Sequence, residues 1–383
     1  MARRTVLVVA VMAVAMLAVT AVAQGATTLT PMEELGKMLF FDEALSLNGN
    51  QSCASCHAPE VGWVGPDPAI NDAGAVYEGS IPGAFGDRKP PTAAYGGNSP
   101  ILYWDAKGGV WVGGMFWDGR ATGSTLGDPL AEQALGPFLN PKEQALPSAE
   151  AVVAIVQAST YADEFEAVWG ADIWADTTEA YNAVGRSIAA YERSAEVMPY
   201  SSKYDAYLAK QANLTKQEKA GMNIFFGKGK CGKCHNGADF TDFTYDNLGV
   251  PKNLENPATV ADPMWVDPGL GGFLMGAGYD EAVYLAEWGK HKVPTLRNVD
   301  LRVAEGDVKA FGHNGYFKSL EEIVHFYNTR DVEGAGWMGE PWPEPEYADT
   351  VNTAELGDLK LKPSEEAALV AFLKTLSDGY VVP

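Results

Sequence analysis

The chain has 383 residues, of which 46% are hydrophobic and 20% charged, and its formal net charge is −22 at pH 7. This length and composition are those of a globular protein with room for two or three cores. The acidic excess argues against nucleic acid and anionic lipid as partners. It fits either a basic electron-donor protein or a simple gain in solubility.

The N-terminus combines a short basic segment with a long apolar one. Arg3 and Arg4 precede an apolar run over residues 6–23 that ends in small residues. This order predicts a secretory signal peptide over residues 1–23. A retained membrane anchor is the alternative, because the run is nearly long enough to span a bilayer. We therefore expect export to the periplasm, with no membrane span after signal removal.

Two five-residue strings follow, at residues 53–57 (Cys-Ala-Ser-Cys-His) and 231–235 (Cys-Gly-Lys-Cys-His). Each has the spacing that attaches a c-type haem, in which two thiols add to the vinyl groups and the adjacent histidine binds the iron. Together they use all four cysteines. A single zinc site built from the four thiols is the alternative, but it gives no reason for the two histidines. We expect two covalently bound haem c groups, held by Cys53, Cys56, His57, Cys231, Cys234 and His235.

The segments that lead into the two strings are similar. Residues 34–41 and 219–226 each contain a glycine and end in a Phe-Phe pair. Such a repeat predicts that each segment is the first helix of a cytochrome c-like unit. We therefore predict a mainly α fold with two cytochrome c-like haem domains, an N-terminal one over residues 24–199 and a C-terminal one over residues 200–383.

Gly/Pro-rich segments at residues 58–140 and 249–278 show little helical periodicity and predict long loops, the first of them around the first haem.

Helical patterns appear elsewhere in the chain. One begins after Ser148, and another begins at a cap formed by Thr177 or Thr178. Thr215 is the expected N-cap of the first helix of the second unit, where a glutamate three residues later closes a capping box. The last predicted helix covers residues 363–377.

The positions of the histidines predict that the two haem irons differ in their second ligand. The remaining histidines, His291, His313 and His325, all lie in the second half of the chain, so the first haem has no local second histidine. Met115 is a weak alternative ligand. We expect an open iron at the first haem, as is needed to bind and activate a small molecule.

Peroxide cleavage needs a group that moves a proton between the two oxygens, and a carboxylate in an apolar pocket is suited to this task. Glu143, just after a Pro-containing turn, is the candidate, and Glu132 is its competitor.

Several ordered motifs resemble those of the bacterial dihaem cytochrome c peroxidase/MauG family over nearly the whole mature chain. They are Trp-Asp-Gly-Arg at 117–120, Gln-x-x-x-Pro at 133–137, Asn-Pro-x-Glu at 140–143, Lys-Val-Pro-Thr-Leu-Arg-Asn-Val at 292–299 and His-Asn-Gly at 313–315. The resemblance implies two haem domains facing each other, a peroxidatic N-terminal haem and a C-terminal haem that receives electrons from a donor. It also suggests a homodimer.

The resemblance also assigns roles to individual residues. Glu143 matches the acid/base glutamate, Gln133 its partner over the peroxidatic haem, and Pro137 a proline packed near that haem. Trp117 matches the tryptophan between the haems that serves as an electron relay.

The chain departs from typical family peroxidases at three points. The first is the missing histidine after residue 57, which resembles members with a permanently open site. The second is the distal ligand of the C-terminal haem: the matching position is Tyr327, as in MauG, where the peroxidases have Met. The runner-up is His325, and Met264 and Met275 are weaker. The third is Lys89, which stands where the family often has a calcium-binding asparagine, so that calcium is kept only as a disfavoured alternative.

Three functions follow from these features. The first is a periplasmic peroxidase that reduces hydrogen peroxide to water with electrons from a small c-type cytochrome or cupredoxin. The second is a MauG-like oxidase that acts on a protein substrate, which Tyr327 and the open first haem favour. The third is a simple dihaem electron-transfer protein.

Overall fold

The computed structural model describes residues 28–383. The predicted signal peptide, residues 1–23, lies outside this part of the chain. Among the described residues, none of the helices has both the length and the apolar character required to cross a bilayer.

Helices dominate the described chain, and the prediction of a mainly α fold is confirmed. The α-helices are α1 (Pro31–Phe41), α2 (Pro68–Asp72), α3 (Pro129–Leu139), α4 (Ala149–Gln157), α5 (Ala162–Trp169), α6 (Thr177–Glu192), α7 (Lys203–Leu208), α8 (Lys216–Phe225), α9 (Pro257–Ala261), α10 (Gly269–Gly276), α11 (Glu281–Ala286), α12 (Leu320–Thr329) and α13 (Pro363–Lys374). Short 3₁₀ helices cover Glu43–Leu45, Cys53–Ser55, Pro59–Val61, Ile173–Ala175 and Cys231–Lys233.

The strands are short and form three antiparallel pairs. They are β1 (Tyr103–Asp105) with β2 (Val110–Val112), β3 (Tyr245–Asp246) with β4 (His291–Lys292), and β5 (Gly336–Trp337) with β6 (Glu340–Pro341). Tyr245 faces Lys292 in the second pair, which joins the segment after the second haem string to the Lys-Val-Pro-Thr segment.

The first apolar core forms where α1, α3 and α4 pack against α6. Gly36 lies where α1 crosses α6, and a Cβ atom there would overlap the carbonyl oxygen of Ser187. Phe40, one turn later, is fully buried, whereas Phe41 points outward. The glycine therefore permits close helix packing, which places the apolar end of α1 beside the first haem string.

The second core repeats this arrangement, with α12 and α8 packed against α13. A Cβ atom at Gly221 would overlap the carbonyl oxygen of Ala368 on α13. Phe225 is buried and Phe226 is exposed, as in the first unit. In both halves, therefore, the glycine permits a close helix contact and the first phenylalanine of the Phe-Phe pair is buried. The domain boundary at residues 199 and 200 remains a prediction.

Local signals predicted several helix starts correctly. Ser148 caps α4, and Thr215 caps α8 in a capping box with Glu218. The cap expected at Thr177 or Thr178 is instead Asp176. Its Oδ1 accepts from the backbone N–H groups of Thr178 and Glu179 at 2.8 and 3.2 Å. The last helix begins at Pro363 as predicted but ends at Lys374 rather than at Ser377.

The loop predicted over residues 58–140 is wrong where α3 forms. Asp128 caps this helix by accepting from the N–H groups of Leu130 and Ala131 at 3.0 and 3.4 Å. Pro129 takes the first helical position, where its missing N–H costs nothing. Pro137 lies in the last turn, and packing against α6 offsets its low helix propensity.

Candidate haem sites

The two cysteine pairs open equivalent one-turn 3₁₀ helices, at Cys53–Ser55 and Cys231–Lys233. The four thiols are free and half-buried. Burial raises the pKa of Cys56 and of Cys231 to about 12. The two pairs line different cavities, so the four thiols do not form the single zinc site that was the alternative.

The histidine of each string is oriented by a backbone carbonyl. Nδ1 of His57 lies 3.2 Å from the oxygen of Trp63, and Nδ1 of His235 lies 3.1 Å from the oxygen of Phe240. A carbonyl partner places the proton on Nδ1, which leaves the lone pair of Nε2 free for a metal. Burial lowers the pKa of His57 to about 4 and also lowers that of His235, so both rings are neutral, as ligation requires.

Each string opens into a large cavity. The first cavity, lined by Cys53, Cys56 and His57, has an empty volume of about 1480 Å³ with its mouth included. The second, lined by Cys231, Cys234 and His235, has about 1650 Å³. These volumes include open space at the mouth of each cavity, and each cavity adjoins the two thiols and the imidazole of its string. The free thiols, the neutral imidazoles and the space therefore fit one haem c in each cavity.

The first cavity gathers the residues expected to carry chemistry. Gln133 and Pro137 reach it from α3, Trp117 from the Trp-Asp-Gly-Arg segment, and Glu143 from the turn after α3. His57 lies in the same lining. Among the described residues that line it, there is no second histidine and no methionine. Met115 instead lies in a separate apolar cluster with Leu130.

The surroundings of Glu143 raise the pKa of its carboxyl group. Asn140 donates from Nδ2 to Oε1 of Glu143 at 3.0 Å, and the backbone N–H of Glu143 donates to the oxygen of Asn140 at 3.0 Å. Burial raises the pKa of Glu143, and this outweighs the opposite effects of Arg120 and Asn140. A carboxyl group with a raised pKa is suited to exchanging protons near neutral pH.

Glu132, the competing acid, has a structural task. Its carboxylate accepts from the backbone N–H groups of Gly123, Thr125 and Leu126 at 2.6, 2.7 and 2.8 Å. It does not line the first cavity. These bonds hold the loop before α3 in place, which leaves Glu143 as the better candidate.

The first cavity is also rich in polar atoms that lack partners. Of the six buried side-chain N and O atoms without a hydrogen bond among the described residues, four line this cavity: Oε1 of Gln51, Oε1 and Nε2 of Gln144, and Oε2 of Glu192. Buried polar groups are nearly always satisfied in native proteins, so these atoms call for water or a polar ligand. Such atoms can hydrogen-bond a small polar ligand.

Trp117 lines both cavities. Its Nε1 donates to the carbonyl oxygen of Lys89 at 2.8 Å, and its own carbonyl accepts from the backbone N–H of Lys292 at 2.8 Å. The indole is therefore fixed at the wall between the two haem strings, where an electron relay would have to lie.

Tyr327 comes from α12 and lines the second cavity with His235. Its hydroxyl has no hydrogen-bond partner among the described residues. Burial, followed by the neighbouring cysteines, raises its pKa. A bound metal ion reverses such a shift, because it stabilises the phenolate.

The other ligand candidates for the second haem lie elsewhere. Nδ1 of His325 pairs with the Glu366 carboxylate at 3.0 Å, outside the lining of the second cavity. Met264 and Met275 are 84% and 49% exposed and also lie outside it. Of the predicted candidates, Tyr327 is thus the one whose side chain shares a cavity with His235.

His291 and His313 also line the second cavity, and Nε2 of each ring lies beside a carboxylate. Nε2 of His313 lies 3.0 Å from Glu346, Nε2 of His291 lies 3.2 Å from Asp267, and the two rings stack at 3.6 Å. Arg88 pairs with both oxygens of Asp267 at 2.6 and 2.7 Å. The guanidinium of Arg88 therefore already compensates the charge of the Asp267 carboxylate, which disfavours a metal ion at this cluster.

Sequence reasoning missed two residues of this region. Glu192 ends α6 and lies in the first cavity, 4% exposed. A signal existed, because it continues the spacing of Val184 and Ile188 and so puts an acid on the apolar face of the helix. Lys89 was considered only as an obstacle to calcium, yet it is 7% exposed and lines both cavities.

Comparisons with known proteins agree with this arrangement. The family model of the di-haem cytochrome c peroxidases matches residues 30–213. The methylamine utilization protein MauG of Paracoccus denitrificans (strain Pd 1222) is 37% identical over 365 residues, which cover 91% of this chain and 89% of that protein.

Two further relatives cover similar lengths. The cytochrome c551 peroxidase of Nitrosomonas europaea is 30% identical, over 90% of this chain and 80% of that one. The crystal structure of the diheme peroxidase BthA from Burkholderia thailandensis E264 superposes with a TM-score of 0.79 at 32% identity, over 92% of this chain and 87% of that one.

Proposed function

The chain belongs to the di-haem cytochrome c peroxidase and MauG family of oxidoreductases, and from this premise we propose that it is a periplasmic peroxidase that reduces hydrogen peroxide to water. Family membership implies two haem c groups. The observation that carries the proposal is the asymmetry of the cavities. Glu143 and four unpartnered polar atoms line the first one, whereas Tyr327 lines the second together with His235.

Each haem c, when bound, supplies an iron that can exchange single electrons and store oxidising equivalents. The chain supplies the proton chemistry. Reduction of one peroxide to two waters consumes two electrons and two protons. Glu143 accepts a proton from one peroxide oxygen and returns it to the other, which then leaves as water. Gln133 can orient the peroxide through its amide, and Pro137 shapes the adjoining wall.

The electrons enter through the second haem unit and not through the first. In this proposal a c-type cytochrome or a cupredoxin delivers them at the C-terminal unit, residues 200–383. Trp117 then provides the aromatic contact between the second cavity and the first. The acidic chain, at −22, would attract a basic donor. The N-terminal unit, residues 24–199, is the peroxidatic one.

The charges beside the second cavity disfavour calcium. Lys89 and Lys309 are both buried beside the second cavity, and their positive charges would repel a calcium ion there. A homodimer is carried over from the family resemblance alone.

The experiment that tests this function uses the purified protein with both haems attached. A reduced c-type cytochrome or cupredoxin and hydrogen peroxide are mixed with it, and donor oxidation is followed by absorbance. We expect two donor molecules to be oxidised per peroxide. A protein that carries two haems but oxidises no donor above the uncatalysed rate would contradict the peroxidase proposal.

A MauG-like oxidase is the second candidate. The unpartnered hydroxyl of Tyr327 in the second cavity favours it, because an oxygen donor stabilises ferric and more oxidised iron better than a thioether does. This candidate predicts that peroxide oxidises the protein readily while small donors return electrons slowly. A simple electron-transfer protein is the third candidate, and the polar lining of the first cavity disfavours it.

A further inference from the structure

Lys89 is a buried cation between the two cavities. Its side chain contributes to the lining of both, and the residue is 7% exposed. An ammonium group has three N–H donors. One of them reaches the carbonyl oxygen of Pro90 at 2.9 Å. The described residues offer no other acceptor and no carboxylate partner to this group.

The neighbouring buried lysine is different. Nζ of Lys309 donates to the carbonyl oxygens of Val61, Asn298 and Leu301 at 2.8, 2.7 and 2.9 Å. All three of its donors are therefore satisfied by the backbone. Burial, together with the positive charge of Lys89, lowers the pKa of Lys309, because two like charges are buried close together. Lys89 is thus the cation of this pair that lacks acceptors.

A buried charge without partners is expensive, and burial accordingly lowers the pKa of Lys89 to about 8. Proteins keep such charges where a counter-ion binds. Because Lys89 lines both cavities, an anion bound in either of them can pair with it. The group that both cavities have in common is the cofactor, and each haem carries two propionate carboxylates.

We propose that the ammonium of Lys89 binds a haem propionate at the wall between the two cavities and acts as a positive charge shared by both haems. The inference rests on the proposed binding of one haem in each cavity. A nearby fixed positive charge favours the reduced iron over the oxidised one, so Lys89 would raise the reduction potentials of both haems. Because Nε1 of Trp117 donates to the carbonyl of Lys89, the same residue would also position the tryptophan between the haems.

The test is a spectroelectrochemical titration of both haems in the full-length holoprotein. Lys89→Met is expected to lower both midpoint potentials, and Lys89→Arg, which keeps the charge, is expected to retain the wild-type values more closely. Lys228→Met is the matched control, because it removes the same charge from an exposed pair with Glu365 and should shift neither haem. Unchanged potentials in Lys89→Met, or equal shifts in all three variants, would overturn the inference.

Haem content separates this inference from the function on which it rests. It is measured first, by the absorbance of the pyridine complex. A wild-type protein with fewer than two haems contradicts the proposed function itself. If Lys89→Met does not accumulate, a crystal structure of the wild-type holoprotein decides. Nζ of Lys89 within about 3.2 Å of a propionate oxygen supports the inference, and a propionate-free Nζ overturns it.

Discussion

The indole nitrogen of Trp117 donates a hydrogen bond to the carbonyl oxygen of Lys89 at 2.8 Å, and both residues line both cavities. This bond ties the aromatic ring to a backbone segment that is itself part of the wall. The ring orientation is therefore set by a hydrogen bond within the protein. A fixed aromatic ring between two redox sites is a suitable place for an electron to pass.

Replacing Trp117 by Phe should slow peroxide reduction while leaving the haem spectra nearly unchanged. The smaller ring lacks the N–H donor and is harder to oxidise. We expect turnover with a reduced donor to fall by about tenfold or more, equivalent to a barrier about 1.4 kcal/mol higher. The measurement is steady-state donor oxidation.

Trp111→Phe is the control for Trp117→Phe. Trp111 lies in a separate apolar cluster, and its Nε1 has no hydrogen-bond partner among the described residues, so its loss should leave turnover intact. Equal turnover in the two variants would remove Trp117 from the electron path.

Glu143→Gln should cost much more. The amide keeps the size and the contact with Asn140 but cannot exchange the proton, and removal of a general acid–base group typically costs about 10²–10⁴-fold in rate. The measurement is kcat/KM for peroxide. Because burial raises the pKa of Glu143, the acid limb of the wild-type pH–rate profile should lie above the ordinary value of about 4.3. That limb should be absent in the variant.

The paired control is Glu132→Gln. Glu132 accepts three backbone N–H bonds in the loop before α3, so this variant should lose thermal stability and keep its turnover per folded, haem-loaded molecule. A similar loss of kcat/KM in both variants would mean that general disruption of this region, and not proton transfer by Glu143, explains the effect.

The sequence predicted those features whose cause is local or covalent. Haem attachment needs a fixed spacing of two thiols and a histidine, and a capping box such as Thr215 with Glu218 spans three residues, so both are visible in the chain. Helix α3 was missed because Pro137 lowers its propensity, while its stability comes from the Asp128 cap and from α6, whose Tyr181 contacts Leu135 across a sequence separation of 46 residues. The position of Lys89 at both cavities depends on contacts between distant segments, which no local pattern reports.

Tyr327→Phe tests the predicted second ligand at the C-terminal haem. Loss of the oxygen donor should convert that haem from a six-coordinate low-spin state to a high-spin one and raise its reduction potential, because phenolate stabilises ferric iron. Electron paramagnetic resonance and a redox titration report the two changes. His325→Asn is the control, since His325 pairs with Glu366 outside the cavity and should leave both signals unchanged. An unaltered low-spin signal in Tyr327→Phe would exclude the tyrosine as the ligand.

Glu192 should make the stability of the protein depend on pH. Burial raises its pKa to about 8, whereas in the unfolded chain it has the ordinary value of about 4.3. Between these values the folded state holds a proton that the unfolded state releases. The free energy of unfolding should therefore be highest below pH ~4.3, as far as this group is concerned, and fall as the pH rises toward 8.

Urea unfolding of the holoprotein at pH 5 and pH 8 measures the effect of Glu192. Each unit of pKa difference is worth about 1.4 kcal/mol, so the wild type should lose a few kcal/mol between these two pH values relative to Glu192→Gln, which cannot titrate. Glu164→Gln on α5 replaces an exposed acid and should retain the wild-type pH dependence. If Glu192→Gln kept that dependence as well, Glu192 would have to be ionised in the folded protein, and its unpartnered Oε2 would then require a cation or ordered water in the first cavity.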